Sequence, residues 1–249
     1  MDGGFRQVLG IRFYTGGIAG LLDRAAGGGL ITVPSAPVLV NAGGDSANRA
    51  ALEGCDFAIT DSAYMVLLWL VLKWERLPRI SGLRFLRALL ERADFRAAGA
   101  TLWVMPSAED RAAISGWLQR QGVGLEPAAC PVAPLYPAGP LSDPGLLALI
   151  EARRPRYVVM NIGGGVQERL GLYLRNNLSY RPAILCTGAA VALISGRQVR
   201  IPVWADRLFL GWLIRSLANP VSFPPRLWKS VRLAWLVAKY GERAPSGSA

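Results

Sequence analysis

Along the first three-quarters of the chain, short apolar runs alternate with stretches whose apolar positions recur at helical spacing. Gln7–Phe13, Leu30–Val33, Asp56–Thr60, Thr101–Met105, Leu125–Cys130, Tyr157–Ile162 and Ala183–Thr187 read as strands, the one over Leu125–Cys130 being the weakest. Between them, Gly17–Ala26, Pro37–Leu52, Ala63–Trp74, Arg79–Ala93, Ser107–Gln121, Pro144–Arg154 and Val166–Asn177 read as helices, Ala63–Trp74 as a buried one. Local signals agree. Gly27–Gly29 stops the first helix, Ser107 with Glu109 and Asp110 opens another, and Ser142-Asp143-Pro144 opens the next. Gly43 and Gly44 weaken the pattern over Pro37–Leu52. Strands alternating with helices predict βαβ units: an α/β, Rossmann-like, mostly parallel sheet with helices on both faces. Ligands of such sheets bind beyond the carboxyl ends of the strands. That places the candidate site wall at Pro34-Ser35, Asp61-Ser62, Met105-Pro106, Gly163–Gly165 and Gly188–Ala190.

The pattern changes after Gly196. From Arg197 onward nine basic residues face only Asp206 and Glu242, so this stretch holds +7 of a formal +11, together with four of the eight tryptophans. The chain thus divides into an α/β domain over residues 1–196 and a basic, Trp-rich helical appendage over 197–249. Pro220, Pro224 and Pro225 split the appendage into two helices. On the last helix Leu227, Trp228, Val231, Ala234, Trp235 and Ala238 share one arc, with Arg226, Lys229, Arg232 and Lys239 on the remainder. Tryptophan on an apolar face rimmed by cations suits an anionic lipid surface. A plainly packed C-terminal helix with a solvated basic rim is the alternative. Nucleic acid is disfavoured, because the appendage is apolar and carries no RNA-binding aromatic signature or zinc finger. The longest apolar run, Ala63–Leu72, is ten residues, about half of the ~20 that span a bilayer. The N-terminus shows no signal-peptide core.

Composition narrows the chemistry. Of 249 residues, 52% are hydrophobic and 18% charged, so the chain has a core to bury. Histidine is absent, which removes His-based triads, His general bases and His metal ligands. Cys55, Cys130 and Cys186 are far apart and form no CxxC; they read as core thiols in a reducing compartment. No Asp-x-Asp pair is present to clamp a metal-bound diphosphate, so no metal and no cofactor are expected. Asp61, at a strand end, suits a general base or the cap of the next helix. Gly163, Gly164 and Gly165 lie between a strand and a helix, where backbone amides can hold a diphosphate, though a tight turn explains them too. Gln167 and Glu168 fall in the first turn of that helix. Gly188 and Ala189 admit close approach of a flat ring.

The ordered set is more specific than its parts. Asp61 is followed by Leu77-Pro-Arg-Ile-Ser-Gly82, then Asn161-Ile-Gly-Gly-Gly-Val-Gln-Glu168, then Thr187-Gly-Ala-Ala, Gly196, Arg200-Ile-Pro-Val-Trp204, and Trp212-Leu-Ile-Arg215. This resembles the WecG/TagA/CpsF glycosyltransferase family across roughly Leu30 to Trp235. The resemblance implies an inverting enzyme that moves a sugar from a UDP-sugar to a polyprenyl-diphosphate-linked sugar during cell-surface polysaccharide synthesis. It would work peripherally on the cytoplasmic face of the bacterial inner membrane, with a homo-oligomer left open. Under it Asp61 is the base. Gly163, Gly164, Gln167, Glu168, Gly188 and Ala189 bind the donor. Pro34, Ser35 and Arg79 belong to the acceptor side. Arg200 and Arg215 meet the diphosphate. Departures from the family pattern include Ser35 for an asparagine, Ser62 for a glycine, Arg84 for an aspartate and Gly211 for a glutamate. They motivate a second reading, a catalytically degenerate scaffold of a membrane glycan-assembly complex.

Overall fold

The computed structural model describes residues 4–196 and 223–245. A seven-stranded sheet runs in the order β1 (Phe5–Val8), β2 (Ile11–Tyr14), β4 (Phe57–Ile59), β3 (Gly29–Thr32), β7 (Ala183–Cys186), β6 (Tyr157–Met160), β5 (Thr101–Val104). β1 and β2 form an antiparallel hairpin; every other pairing is parallel. The central strands are buried on both faces, which is why they read as unbroken apolar runs.

Successive strand residues feed two cores. Val158 and Met160 face one side, with α2 (Ala36–Asn41), α3 (Ser46–Glu53), α4 (Ala63–Lys73), α8 (Pro144–Arg153) and α9 (Val166–Asn177). Tyr157 and Val159 face the other, with α1 (Ile18–Ala26), α5 (Gly82–Leu90), α6 (Ala93–Arg96), α7 (Ala108–Arg120) and α10 (Ala190–Ser195). β3 is followed by a helix on the first face and its neighbour β7 by one on the second. The β3/β7 seam is therefore a topological switch point, where α/β sheets open a ligand crevice. A final helix, α11 (Phe223–Tyr240), packs on α2 and α4 through Leu233, Leu236 and Val237. Beyond it, the Leu9 and Gly10 amides donate to the Gly241 and Glu242 carbonyls and tie the chain end to the β1–β2 turn.

Several sequence-based expectations change. The stretch Gln7–Phe13 folds into the β1–β2 hairpin, because Leu9 (φ 53°) and Gly10 (φ 79°) turn the chain back. Pro37–Leu52 forms two helices, broken at Gly43-Gly44; Asp45 caps the second by accepting from the Ala47 and Asn48 amides, both at 3.0 Å. Leu125–Cys130 holds a 3-10 turn over Pro127–Ala129 in place of a strand. The helix over Ala63–Lys73 is not buried all round: Leu67, Leu70, Val71 and Leu72 are exposed.

Candidate active site

The turns that leave the strand ends converge on the switch point. Val33 leads from β3 into Pro34 and Ser35, the latter exposed just before α2 with no capping hydrogen bond from its side chain. Gly82, the first residue of α5, sits so close that an added Cβ would lie 2.9 Å from Val33 Cγ1 and 3.8 Å from Asp61 Oδ1. On the other side, a Cβ on Gly164 would fall 2.6 Å from Val38 Cγ2 on α2. The glycines are thus what lets the β3, β4 and β6 turns meet.

Asp61 lies two residues beyond the end of β4 at Ile59. It does not cap the helix that follows; Ser62 does, its Oγ accepting from the Met65 amide at 3.3 Å. The Asp61 carboxylate turns instead toward α5, where the Gly82 N–H donates to Oδ1 at 2.9 Å. Its backbone carbonyl accepts from Arg79 Nε, also at 2.9 Å. Two flanking bonds therefore fix the residue, and among the described residues no donor engages Oδ2. The carboxylate is half-buried, oriented by one oxygen and open at the other.

Gly163 and Gly164 are exposed at the rim, and Gly165 (φ 88°) makes the turn into α9. Gln167 and Glu168 do not reach outward. Gln167 is buried; its Oε1 accepts from the Gly188 amide at 2.8 Å, and its Nε2 donates to Glu168 Oε1 at 2.9 Å and to the Cys186 carbonyl at 3.3 Å. Glu168 has no exposed surface, and its Oε2 accepts from the Gly165 amide at 2.5 Å. Burial holds the Glu168 carboxyl above the usual carboxylate range, against the opposing pull of the Gln167 amide. These two side chains bolt the Gly163–Gly165 turn to the Gly188 turn. Ala189 is exposed beside Gly188 (φ 56°).

The described structure thus gathers Pro34, Ser35, Asp61, Arg79, Gly163, Gly164, Gln167, Glu168, Gly188 and Ala189 around one rim. Arg200 and Arg215 lie outside the described residues, as do Pro202, Trp204 and Trp212. Two buried asparagines add to the site's frame. Asn48 donates from Nδ2 to the Val38 carbonyl at 3.0 Å, and its Oδ1, without a hydrogen bond, faces Gly165. Asn161 donates to the Val104 and Val159 carbonyls at 3.3 and 3.4 Å. Asn48 escaped the sequence reading because its partners are set by how α3 packs, which no local motif records. Among the described residues there is no group of three or more metal-type ligands. Two surface cavities, of about 240 Å³ beside Arg111 and Cys130 and about 340 Å³ beside Arg175 and Arg181, lie off this rim. The second is walled by guanidiniums already engaged with Asp56.

Fold and rim together define a Rossmann-like α/β protein whose β3/β7 switch point has an oriented carboxylate after β4 on one side and the glycine turns after β7 and β6 on the other. The chain belongs to the glycosyl transferase WecG/TagA/CpsF family, whose profile matches residues 6–246, nearly its whole length. No curated protein matches it. Glycosyl transfer is accordingly the activity class that the family brings to this rim.

Proposed function

We propose that the protein is an inverting, metal-independent glycosyltransferase. It moves a sugar from a UDP-sugar to a polyprenyl-diphosphate-linked sugar at a membrane surface during cell-surface polysaccharide synthesis. The observation that carries this reading is the Asp61 carboxylate, oriented through Oδ1 by the Gly82 N–H and unengaged at Oδ2 among the described residues. Single-displacement inversion needs one base, not the paired carboxylates of a glycosidase. Asp61 Oδ2 takes the proton of the acceptor hydroxyl while that oxygen attacks the anomeric carbon. The bond from that carbon to the nucleotide's β-phosphate oxygen breaks, and UDP leaves with the electron pair. The departing diphosphate meets the Gly163 and Gly164 amides just before α9 and, by the family motif, Arg200 and Arg215. Gln167 and Glu168 act as positioning residues that hold the donor turns in place. Pro34, Ser35 and Arg79 border the acceptor side. The basic appendage supplies the contact with anionic lipid on the cytoplasmic face.

Calorimetric titration with UDP, followed by a screen of UDP-sugars against a vesicle-embedded polyprenyl-diphosphate sugar, tests this. UDP binding and transfer unaffected by chelator are expected. No binding at millimolar UDP would favour the scaffold reading instead.

A further inference from the structure

Nine large apolar side chains are exposed among the described residues, and seven of them lie on two adjacent helices. On α4 they are Leu67, Leu70, Val71 and Leu72, with Trp74 just past its end; on α11 they are Val231 and Trp235. Leu67, Leu70, Val71 and Trp74 follow i, i+3, i+4, i+7 spacing, which makes one continuous stripe opposite the face that buries Met65, Val66 and Trp69. A helix apolar on both faces needs a second apolar surface, and among the described residues α4 has none on its outer side. Trp74 sharpens the point. It is 91% exposed and adopts a left-handed conformation (φ 56°) that disfavours a bulky side chain. Glycine would fit that turn more easily, and the described fold gives the indole little packing in return.

Charge identifies the occupant. The two nearby carboxylates, Glu75 and Glu242, are both paired with Arg6, and Glu75 also accepts from Trp69 Nε1 at 3.2 Å. Lys73, Arg76, Lys239 and Arg243 are exposed near the C-terminal ends of the two helices, and none pairs with a carboxylate among the described residues. Lys239 Nζ lies 4.7 Å from the Trp235 ring centre, so cation and indole sit together. A second copy of this chain seated on the face by two-fold symmetry would set these cations against themselves. An anionic bilayer complements both features: indoles and aliphatic groups enter the headgroup boundary while the cations meet phosphate.

We infer that α4 and α11 form one composite membrane-docking face, so that the α/β domain itself, and not the appendage alone, contacts anionic phospholipid. This rests on the membrane reading above and extends it to a helix that begins next to Asp61. A bilayer held against α4 lies beside the helix whose first turn follows the candidate base.

The test is co-sedimentation of the full chain with phosphatidylcholine vesicles, with and without about 30% phosphatidylglycerol, comparing wild type, the double variant Val71→Asp/Trp74→Asp, and Trp235→Asp. Wild type is expected to pellet with the anionic vesicles. The α4 double variant should lose at least about tenfold in bound-to-free ratio, with its circular dichroism and melting temperature unchanged. Pelleting of the double variant at the wild-type level, with Trp235→Asp defective, would overturn the α4 inference and leave the appendage as sole anchor. A wild type that pellets with neither vesicle would overturn the membrane reading as well. A light-scattering mass that falls from dimer to monomer in the double variant, with vesicle binding intact, would assign the face to a second copy.

Discussion

Gln167→Ala removes the link between the two donor turns, and its cost follows from what that side chain touches. The Gly188 N–H loses its shorter acceptor at 2.8 Å and keeps the Met160 carbonyl at 3.1 Å, while Glu168 Oε1 loses its donor at 2.9 Å inside a fully buried pocket. A buried polar group stripped of its partner costs about 1–3 kcal/mol. Gly188 keeps the Met160 carbonyl, so the cost falls mainly on Glu168 and about 1–3 kcal/mol is expected. For a chain of this size that is a fall of roughly 2–12 °C in melting temperature. The deficit also depends on pH. The Glu168 carboxyl is raised from 4.5 by burial and lowered by the Gln167 hydrogen bond. A carboxyl raised in the folded state contributes stability that is fully present below its unfolded value. That stability is lost as pH rises toward the folded value. Removing the amide raises Glu168 further and extends the loss to higher pH. The gap between wild type and variant should therefore be wider at pH 8 than at pH 4.5. Melting followed by circular dichroism across that range, with UDP titration at neutral pH, reads both effects. A drop below about 2 °C, or a gap that does not change with pH, would refute the bolt between the turns.

Gly171→Ala places a methyl 2.6 Å from Leu30 Cδ1 and 3.1 Å from Cys186 Sγ, so α9 must lift from the sheet; a loss of about 1–3 kcal/mol in urea unfolding is expected. Asp94 accepts from Arg92, Arg156 and Tyr157, and its carboxyl is held down to about 2, chiefly by the Arg92 hydrogen bond. Its contribution is present above 3.8 and lost as pH falls toward 2, so Asp94→Asn should flatten the acid limb of the melting curve. All three cysteines are free and buried; burial pushes Cys55 and Cys130 up to about 11 and raises Cys186 well above the usual thiol range. Thiol-reagent labelling should therefore wait for unfolding; rapid modification of the native chain would show that these side chains are accessible.

Most strands and helices were legible because a parallel sheet buried on both faces writes continuous apolar runs, and its helices carry caps at Ser107 and Asp143. The hairpin was hidden because Leu9, not a glycine or asparagine, takes the first left-handed position of the turn. The rim positions of Asp61, Gly163 and Gly188 followed from the strand-end rule. What each side chain does there did not. Asp61 Oδ1 is held by an amide 21 residues away, and Gln167 by a turn equally distant in sequence. A Glu at the third position of a helix that opens on Gly165 does carry the signature of a side chain folding back on the helix start, which could have signalled that Glu168 points inward. The uniform apolarity of Ala63–Lys73 read as burial. Only the structure separates the face on the core from the face that α11 leaves uncovered.

The central claim is that one oriented carboxylate removes the acceptor proton. Asp61→Asn keeps the Oδ1 acceptor for the Gly82 amide and deletes the base. Transfer from the active UDP-sugar to a vesicle-embedded polyprenyl-diphosphate sugar should fall about 10²–10⁴-fold, with UDP affinity and melting temperature unchanged. Transfer at the wild-type rate by the folded variant would contradict the account.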